Sequence, residues 1–412
     1  MSFLGLLLRL FALLSLAVLA AGGYLLWTWW DWREVVGVGN GAPRRETTSE
    51  DWRLYLGGGL IAWSLLGAIP LRLITGRGGG AGHRMRRAQG QMLPAPDGSS
   101  LYVETDGPAG APVLVFTHGW GMDATTWIDA RRRLADRYHL ILWDLPGLGR
   151  SKGPPDGRYS LDRFADALTA VLDLAGRRQV ILVGHSIGGM IIQTLARDHP
   201  QRFGRQVVGV VLENTTHANP LRTTFLSTLL RPMQPLLAAM MHLDVWLSPL
   251  VWLMNWQSYL SGSTHLAMRL GGFGTQPPRD LLEQVSLLAT RNSPGVQAKG
   301  DLAMMRWDAT DDLWRLSAPA LVFAGGRDLV TRADAGETIA RVVPHAHLHH
   351  VEAAGHMGPQ ECADIYNAAL ATFADAAFAR GARSADALTI EAAMDATPIT
   401  APRHIPGASP PL

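Results

Sequence analysis

The pattern of apolar positions changes character three times along the chain, and each change marks a different part of the molecule. Leu4 to Trp30 is almost wholly apolar apart from Arg9, Ser15 and Thr28, and it exceeds the roughly 20 residues a helix needs to cross a bilayer. This predicts a transmembrane helix, with Trp27, Trp29 and Trp30 as its interfacial anchor. A cleavable signal peptide is the competing reading, since Ala17 to Ala21 offers small residues, but the apolar run continues past them through Leu25 and Leu26. A polar loop, Asp31 to Arg53, leads to a second apolar stretch, Leu54 to Ile74, so residues 1–75 are expected to form a hairpin of two spans. The N-terminus and Arg9 lie at the start of the first span, and Arg72, Arg77, Arg84, Arg86 and Arg87 lie at or beyond the end of the second. The loop between them holds Arg33, Arg44, Arg45 and Arg53. The bias favours cytoplasmic termini, and with them a cytoplasmic main domain. The Gly- and Arg-rich segment 76–98 reads as a linker, either a solvated tether or a contact for anionic lipid headgroups.

From Leu101 the period shortens. Apolar runs of strand-like composition occur at Leu101–Glu104, Val113–Thr117, Leu140–Trp143, Val180–Val183, Val207–Leu212, Ala320–Ala324 and His347–Val351, with helix-like segments between most of them. That alternation predicts βαβ units and a mainly parallel sheet covered on both faces. It is interrupted between Thr215 and Trp314, a gap of about a hundred residues and too long for a structureless loop. The first half of the gap is apolar around more of the helical circumference than one packed face requires. Pro232, Pro235 and Pro249 divide it, so short helices are expected rather than a third span. Trp246, Leu250 and Leu253 are its candidate substrate-binding residues, because flat and flexible apolar side chains suit an acyl chain. Residues 99–380 thus form one domain, and 381–412, poor in large apolar residues, read as a disordered tail.

Charge and cysteine content narrow the function. Net charge is +2, from 37 basic and 35 acidic residues, and no Lys/Arg run is interleaved with aromatics, so nothing points to nucleic acid. A single cysteine, Cys362, excludes an intramolecular disulfide framework and a Cys-rich metal site.

The chemistry sits just past the strand ends. Val180–Val183 runs into Gly184-His185-Ser186-Ile187-Gly188, and Ile187 to Ala196 has helical length. A serine on a sharp strand-to-helix turn needs small neighbours, and the Ile187 amide at the helix start is placed to stabilise an oxyanion. His118-Gly119-Trp120-Gly121 follows the strand Val113–Thr117, and its Trp120 amide can serve the same oxyanion. Asp144 to Ser151 contains Gly147-x-Gly149 but lacks the third glycine and helix start of a dinucleotide loop. A serine hydroxyl needs an imidazole to take its proton, and the imidazole needs a carboxylate to fix its tautomer. Asp328 and His356, each just past a later strand, supply these in the chain order Ser, Asp, His.

With Thr117 to Gly121, Asp144 to Ser151, Gly184 to Gly189, Gly325 to Asp328 and Gly355-His356 in place, the chain resembles the α/β-hydrolase family, in its serine hydrolase branch, over roughly Leu101 to Ala374. The resemblance implies an eight-stranded, mostly parallel sheet, a helical cap inserted after the sixth strand (215–314 here), and Ser186, Asp328 and His356 as nucleophile, acid and base. Some relatives carry the acid after the sixth strand, which makes Glu213 the alternative to Asp328. Serine rather than aspartate at the nucleophile position argues against the dehalogenase and epoxide hydrolase branches. The expected function is a membrane-anchored serine hydrolase of small apolar or lipid-like esters, needing no metal or cofactor, with the bilayer as its other partner. Other acyl chemistry on the same triad (perhydrolysis, thioester or amide cleavage, acyl transfer) and a non-catalytic membrane-tethered binding protein are the alternatives.

Overall fold

The computed structural model describes residues 3–31, 51–78, 87 and 89–395, with the backbone alone over 382–395. Arg33, Arg44 and Arg45 of the polar loop, Arg84 and Arg86 of the linker, and 396–412 of the tail lie outside the described residues. The eight strands are β1 (Gly90–Pro94), β2 (Ser100–Asp106), β3 (Val113–Thr117), β4 (His139–Trp143), β5 (Val180–His185), β6 (Val207–Glu213), β7 (Ala320–Gly325) and β8 (Ala346–Val351). They form one sheet in the order β1-β2-β4-β3-β5-β6-β7-β8. β2 pairs antiparallel with β1 and β4, and every other pairing is parallel.

The central strands β3, β5 and β6 are buried at every position, as strands covered on both faces must be. Because side chains alternate along a strand, Val113, Val115 and Leu182 join one core with Phe164, Leu168 and Ile191, while Leu114, Phe116 and Val183 join the other with Trp127, Tyr366 and Leu370. Helix Leu161–Asp173 shows how the sequence specifies such a cover. Ser160 caps it by accepting from the Arg163 amide, and Leu161, Phe164, Leu168 and Val171 recur at helical spacing on the buried face.

β1 falls inside the segment read as a linker. Its burial pattern is that of an edge strand, ending in a proline that an edge tolerates, so it carries no apolar run to announce it. The last linker arginine is likewise drawn into the fold: Arg87 donates to Asp144 at 2.8 Å and pairs with Asp123, and its side chain is 14% exposed. It is therefore a clamp between strand ends and not a lipid contact. Helix Ala363–Asp395 packs on the sheet and continues through the first residues of the segment read as a tail.

Between β6 and β7 the chain is helical: Pro220–Thr223, Ser227–Leu230, Gln234–Trp246, Ser248–Leu260, Ser263–Gly271, Arg279–Arg291 and Pro294–Met305. The N-terminal apolar segment forms the single helix Phe3–Asp31, which is long and apolar enough to span a membrane. The second apolar stretch is two helices, Asp51–Leu66 and Ala68–Thr75, bent by 63°. At the bend, Gly67 lies so close to the cap that a Cβ there would sit 2.5 Å from the Ser261 carbonyl oxygen. The helices Phe3–Asp31 and Asp51–Leu66 cross at paired glycines: a Cβ on Gly22 would meet the Gly57 carbonyl oxygen at 3.1 Å, and one on Gly57 the Gly22 carbonyl oxygen at 3.0 Å. Such small-residue crossings let helix backbones approach where apolar lipid supplies no hydrophobic driving force.

Candidate active site

At the end of β5 the backbone turns into helix Ile187–Asp198 through Ser186, whose φ of 55° and ψ of −120° lie where a side chain is strained. The surroundings hold the turn in place. The Ser186 amide donates to the Glu213 carbonyl at 3.0 Å, and the Ser186 carbonyl accepts from the Thr215 hydroxyl at 2.6 Å and the Gly189 amide at 2.9 Å. The flanking glycines are required by contact: a Cβ at Gly184 would be 2.5 Å from the Gly188 carbonyl carbon, and one at Gly188 would be 2.3 Å from the Thr117 carbonyl oxygen.

The three polar groups read from the sequence converge here. His356 Nε2 is 3.0 Å from Ser186 Oγ, and His356 Nδ1 is 3.0 Å from Asp328 Oδ2. Asp328 is buried, and burial pushes its carboxyl up. The neighbouring His356 and the hydrogen bonds outweigh that, so its pKa falls below the ordinary carboxylate value. Its Oδ1 accepts from the amides of Val330 at 2.8 Å and Thr331 at 2.9 Å. Its Oδ2 also accepts from the Thr331 hydroxyl at 2.8 Å and from Asn214 Nδ2 at 3.1 Å. Asn214 is itself fixed by the Tyr366 hydroxyl, which donates to its Oδ1 at 2.6 Å, and by its own bond to the Gly355 carbonyl at 2.9 Å.

Glu213, the alternative acid, is buried at the end of β6, and its Oε2 has no hydrogen-bond partner among the described residues. Desolvation pushes its pKa up to about 8. What it contributes to the site is its main-chain carbonyl, which holds the Ser186 amide, while the imidazole is bonded to Asp328.

Two further histidines frame the site. His185 Nε2 is 2.9 Å from the His356 carbonyl oxygen, and its ring lies 5.0 Å from the His356 ring. Burial and the adjacent His356 depress its pKa to about 3, so it stays neutral. His118 accepts from the Leu145 amide at 3.0 Å through Nε2, which leaves Nδ1–H to donate to the Gly119 carbonyl at 2.8 Å. Both fix the loop after β3, where a Cβ on Gly119 would be 2.8 Å from His185 Nδ1.

Trp120 comes from that loop and lines the cavity above Ser186. Its indole N–H donates to the Gln297 carbonyl at 3.1 Å, and its ring occupies the space a Cβ on Gly300 would need. Ile187 follows Ser186 directly and opens the helix, so its amide belongs to the first turn, where backbone donors are left without intrahelical acceptors.

The cavity, of about 100 Å³, counts the methionines Met122, Met190, Met268, Met304 and Met357 among its lining residues. Trp246, Leu250 and Leu253 do not line it. They are 79%, 56% and 54% exposed: Trp246 ends helix Gln234–Trp246, whose other face packs Leu237 and Met241 with Leu302 and Met305, and Leu250 and Leu253 lie on the next helix, Ser248–Leu260, which buries Ser258 instead. In their place the cavity receives Leu4, Gly5 and Leu8 of the N-terminal helix. Sequence reasoning missed these, because a membrane-spanning pattern carries no sign of what its end touches. It also missed Asn214 and Tyr366, whose only local signal is a polar residue at the end of β6 and a tyrosine in an alanine-rich helix.

Comparison with known proteins agrees with this fold. Over 259 residues the chain is 29% identical to a pimeloyl-acyl-carrier-protein methyl ester esterase of Chromobacterium violaceum, covering 62% of this chain and 91% of that one. Over 271 residues it is 26% identical to 3-oxoadipate enol-lactonase 2 of Acinetobacter baylyi, covering 66% and 91%. A thermophilic esterase from Thermogutta terrifontis shares the fold, with a TM-score of 0.57, 24% identity and coverage of 70% of this chain and 99% of that one. These relatives are esterase-type hydrolases, and the model of the alpha/beta hydrolase family matches residues 114–369, from β3 into the final helix. By that match and by its fold, the chain belongs to the alpha/beta hydrolase family.

Proposed function

We propose that this protein is a membrane-anchored serine hydrolase that cleaves carboxylic esters carrying an apolar chain. The observation that carries the reading is the continuous relay from Ser186 Oγ through His356 to Asp328, 3.0 Å at each step, opening on an apolar cavity. His356 takes the hydroxyl proton as Ser186 Oγ attacks the acyl carbonyl. Asp328 holds the imidazole in the tautomer that has Nε2 free to accept, and stabilises the cation that forms. The amides of Trp120 and Ile187 stabilise the oxyanion of the tetrahedral intermediate. Collapse of that intermediate breaks the ester C–O bond, and His356 returns its proton to the departing alcohol. Water then attacks the acyl-enzyme by the same route, releasing the acid and restoring Ser186. The residues themselves supply the nucleophile, the acid and base and the oxyanion donors of this sequence, so it calls for no metal or cofactor.

The two similar proteins act, by their names, on a methyl ester and an enol-lactone, both carboxylic esters in chemical type. Two spans, Phe3–Asp31 and the bent pair Asp51–Leu66 with Ala68–Thr75, would hold the hydrolase domain at the cytoplasmic face. The exposed Trp246, Leu250 and Leu253 would lie in the lipid surface there, a use that fits large apolar side chains on an outward face. The test is covalent labelling of the full-length protein by an alkyl fluorophosphonate. A single adduct on Ser186, abolished in Ser186→Ala and in His356→Ala, is the expected result. An adduct that survives Ser186→Ala overturns the assignment.

A further inference from the structure

One wall of the cavity beside Ser186 comes from a segment that the family match, residues 114–369, does not include. Leu4, Gly5 and Leu8 share one face of the helix Phe3–Asp31 by their spacing, and all three line the cavity with Ser186 and His356. Leu4 and Leu8 also pack on the apolar cluster of Met268, Phe273 and Met357, directly beside the base.

The helix is held there in both register and rotation. Arg9 forms an ion pair with Asp244 of the cap, and Ser15 Oγ lies 2.6 Å from Ser261 Oγ. Gln257 donates to the Ser15 carbonyl at 3.4 Å. The Phe3 ring meets Phe225 edge-on at 5.5 Å, and a Cβ on Gly271 would strike Leu4 Cδ1 at 2.9 Å and Leu7 Cδ2 at 3.0 Å. Slipping the helix by one residue would turn it by ~100° and carry Leu8 off the cavity while breaking both polar pins.

Building on the ester-hydrolase reading, we propose that the membrane helix is part of the substrate site, and that its Leu4–Leu8 turn is the wall that sets how long an apolar chain the ester can carry. The anchor therefore determines specificity as well as location. Shared chemistry makes the occupant an unbranched aliphatic chain, on either the acyl or the alcohol side of the scissile bond. Each methylene that finds apolar wall adds ~0.8 kcal/mol, about fourfold in kcat/KM, so the profile against chain length should rise to the limit the wall imposes and then fall.

The experiment uses full-length protein in detergent micelles and two substrate series, p-nitrophenyl esters from acetyl to decanoyl and n-alkyl acetates from methyl to octyl. Each rate is expressed relative to the same variant's rate on the shortest member, so a change in folded fraction cancels. Leu8→Ala should move the optimum of one series to longer chains and raise the relative rate on its longest members by about fourfold or more per methylene admitted. Leu8→Phe should move the same optimum to shorter chains, and the series that responds identifies which half of the ester meets the helix. Leu13→Ala, exposed further along the same helix, should leave both profiles and the absolute rates unchanged. Superimposable profiles for wild type, Leu8→Ala and Leu8→Phe in both series overturn this proposal while leaving the ester-hydrolase reading in place. Absence of turnover on every ester by the wild type, with Ser186 unlabelled, overturns the parent reading and this one together.

Discussion

Glu213 offers a quantitative check on the electrostatics around the nucleophile, and the perturbation is Glu213→Gln. Desolvation raises the buried carboxyl from an ordinary value of 4.5 to about 8, whereas in the unfolded chain it titrates normally. A raised folded-state pKa means that the folded protein holds a proton which the unfolded chain has released. Its contribution to stability is therefore full below about pH 4.5 and is lost progressively as pH rises towards 8. At about 1.36 kcal/mol per pKa unit, the whole loss is about 5 kcal/mol, of which about 2–3 kcal/mol falls between pH 5 and pH 7. Glutamine imitates the protonated acid and has no proton to lose. It places an amide beside an Oε2 position that has no partner among the described residues, a cost that is the same at every pH and cancels between two pH values. Urea unfolding followed by tryptophan fluorescence in one detergent, at pH 5 and pH 7, should show Glu213→Gln gaining about 2–3 kcal/mol relative to wild type between the two. Equal pH slopes for the two proteins would refute a raised Glu213. Because the imidazole is bonded to Asp328, the same variant should keep its turnover within a few-fold, and a collapse of activity would move the acid to β6.

The relay makes a sharper kinetic prediction: Asp328→Asn should cut kcat by roughly 10⁴-fold through the wrong imidazole tautomer, and steady-state kinetics on an activated ester would show it. Ser186→Ala and His356→Ala should each cost several decades and the double variant hardly more, since the groups act as a unit; additive losses would mean that they do not. The hairpin reading predicts that the protein stays with the membrane fraction through high-salt and alkaline carbonate washes, and release by either would leave only peripheral attachment.

How much of this was legible in the sequence depends on whether the responsible interaction is local. The central strands announce themselves because a strand covered on both faces needs a run of apolar, often β-branched residues, and Val113–Thr117 or Val180–Val183 can hardly be read otherwise. β1 cannot be seen that way. Gly90, Gln91 and Pro94 are edge residues whose strand identity comes from pairing with β2, a partner the local pattern does not mention. Arg87 misleads for the same reason: in sequence it ends a basic linker, and in space it meets two carboxylates from loops that follow β3 and β4. The second apolar stretch reads as one span, yet it bends at Gly67, where the Ser261 carbonyl leaves no room for a side chain.

The site divides along the same line. Gly184, Ser186 and Gly188 are legible because the strain of the turn and the clearance it needs are set by residues one or two positions apart. Asp328 and His356 are legible because the sheet places successive strand ends side by side, so a carboxylate after β7 and an imidazole after β8 converge wherever the strands are parallel. The substrate wall is different. Trp246, Leu250 and Leu253 were drawn to the cavity by composition alone, but composition cannot say which face of a helix is buried: in helix Gln234–Trp246 Leu237 and Met241 took the inner face, and in helix Ser248–Leu260 the buried residue is Ser258. Leu4, Gly5 and Leu8 fill the place instead, brought there by Arg9 on Asp244 and Ser15 on Ser261, contacts that bridge more than two hundred residues. An arginine and a serine inside a membrane helix are costly unless they have partners. Those two interruptions in an otherwise apolar run were therefore the one sign in the sequence that the first helix docks against protein.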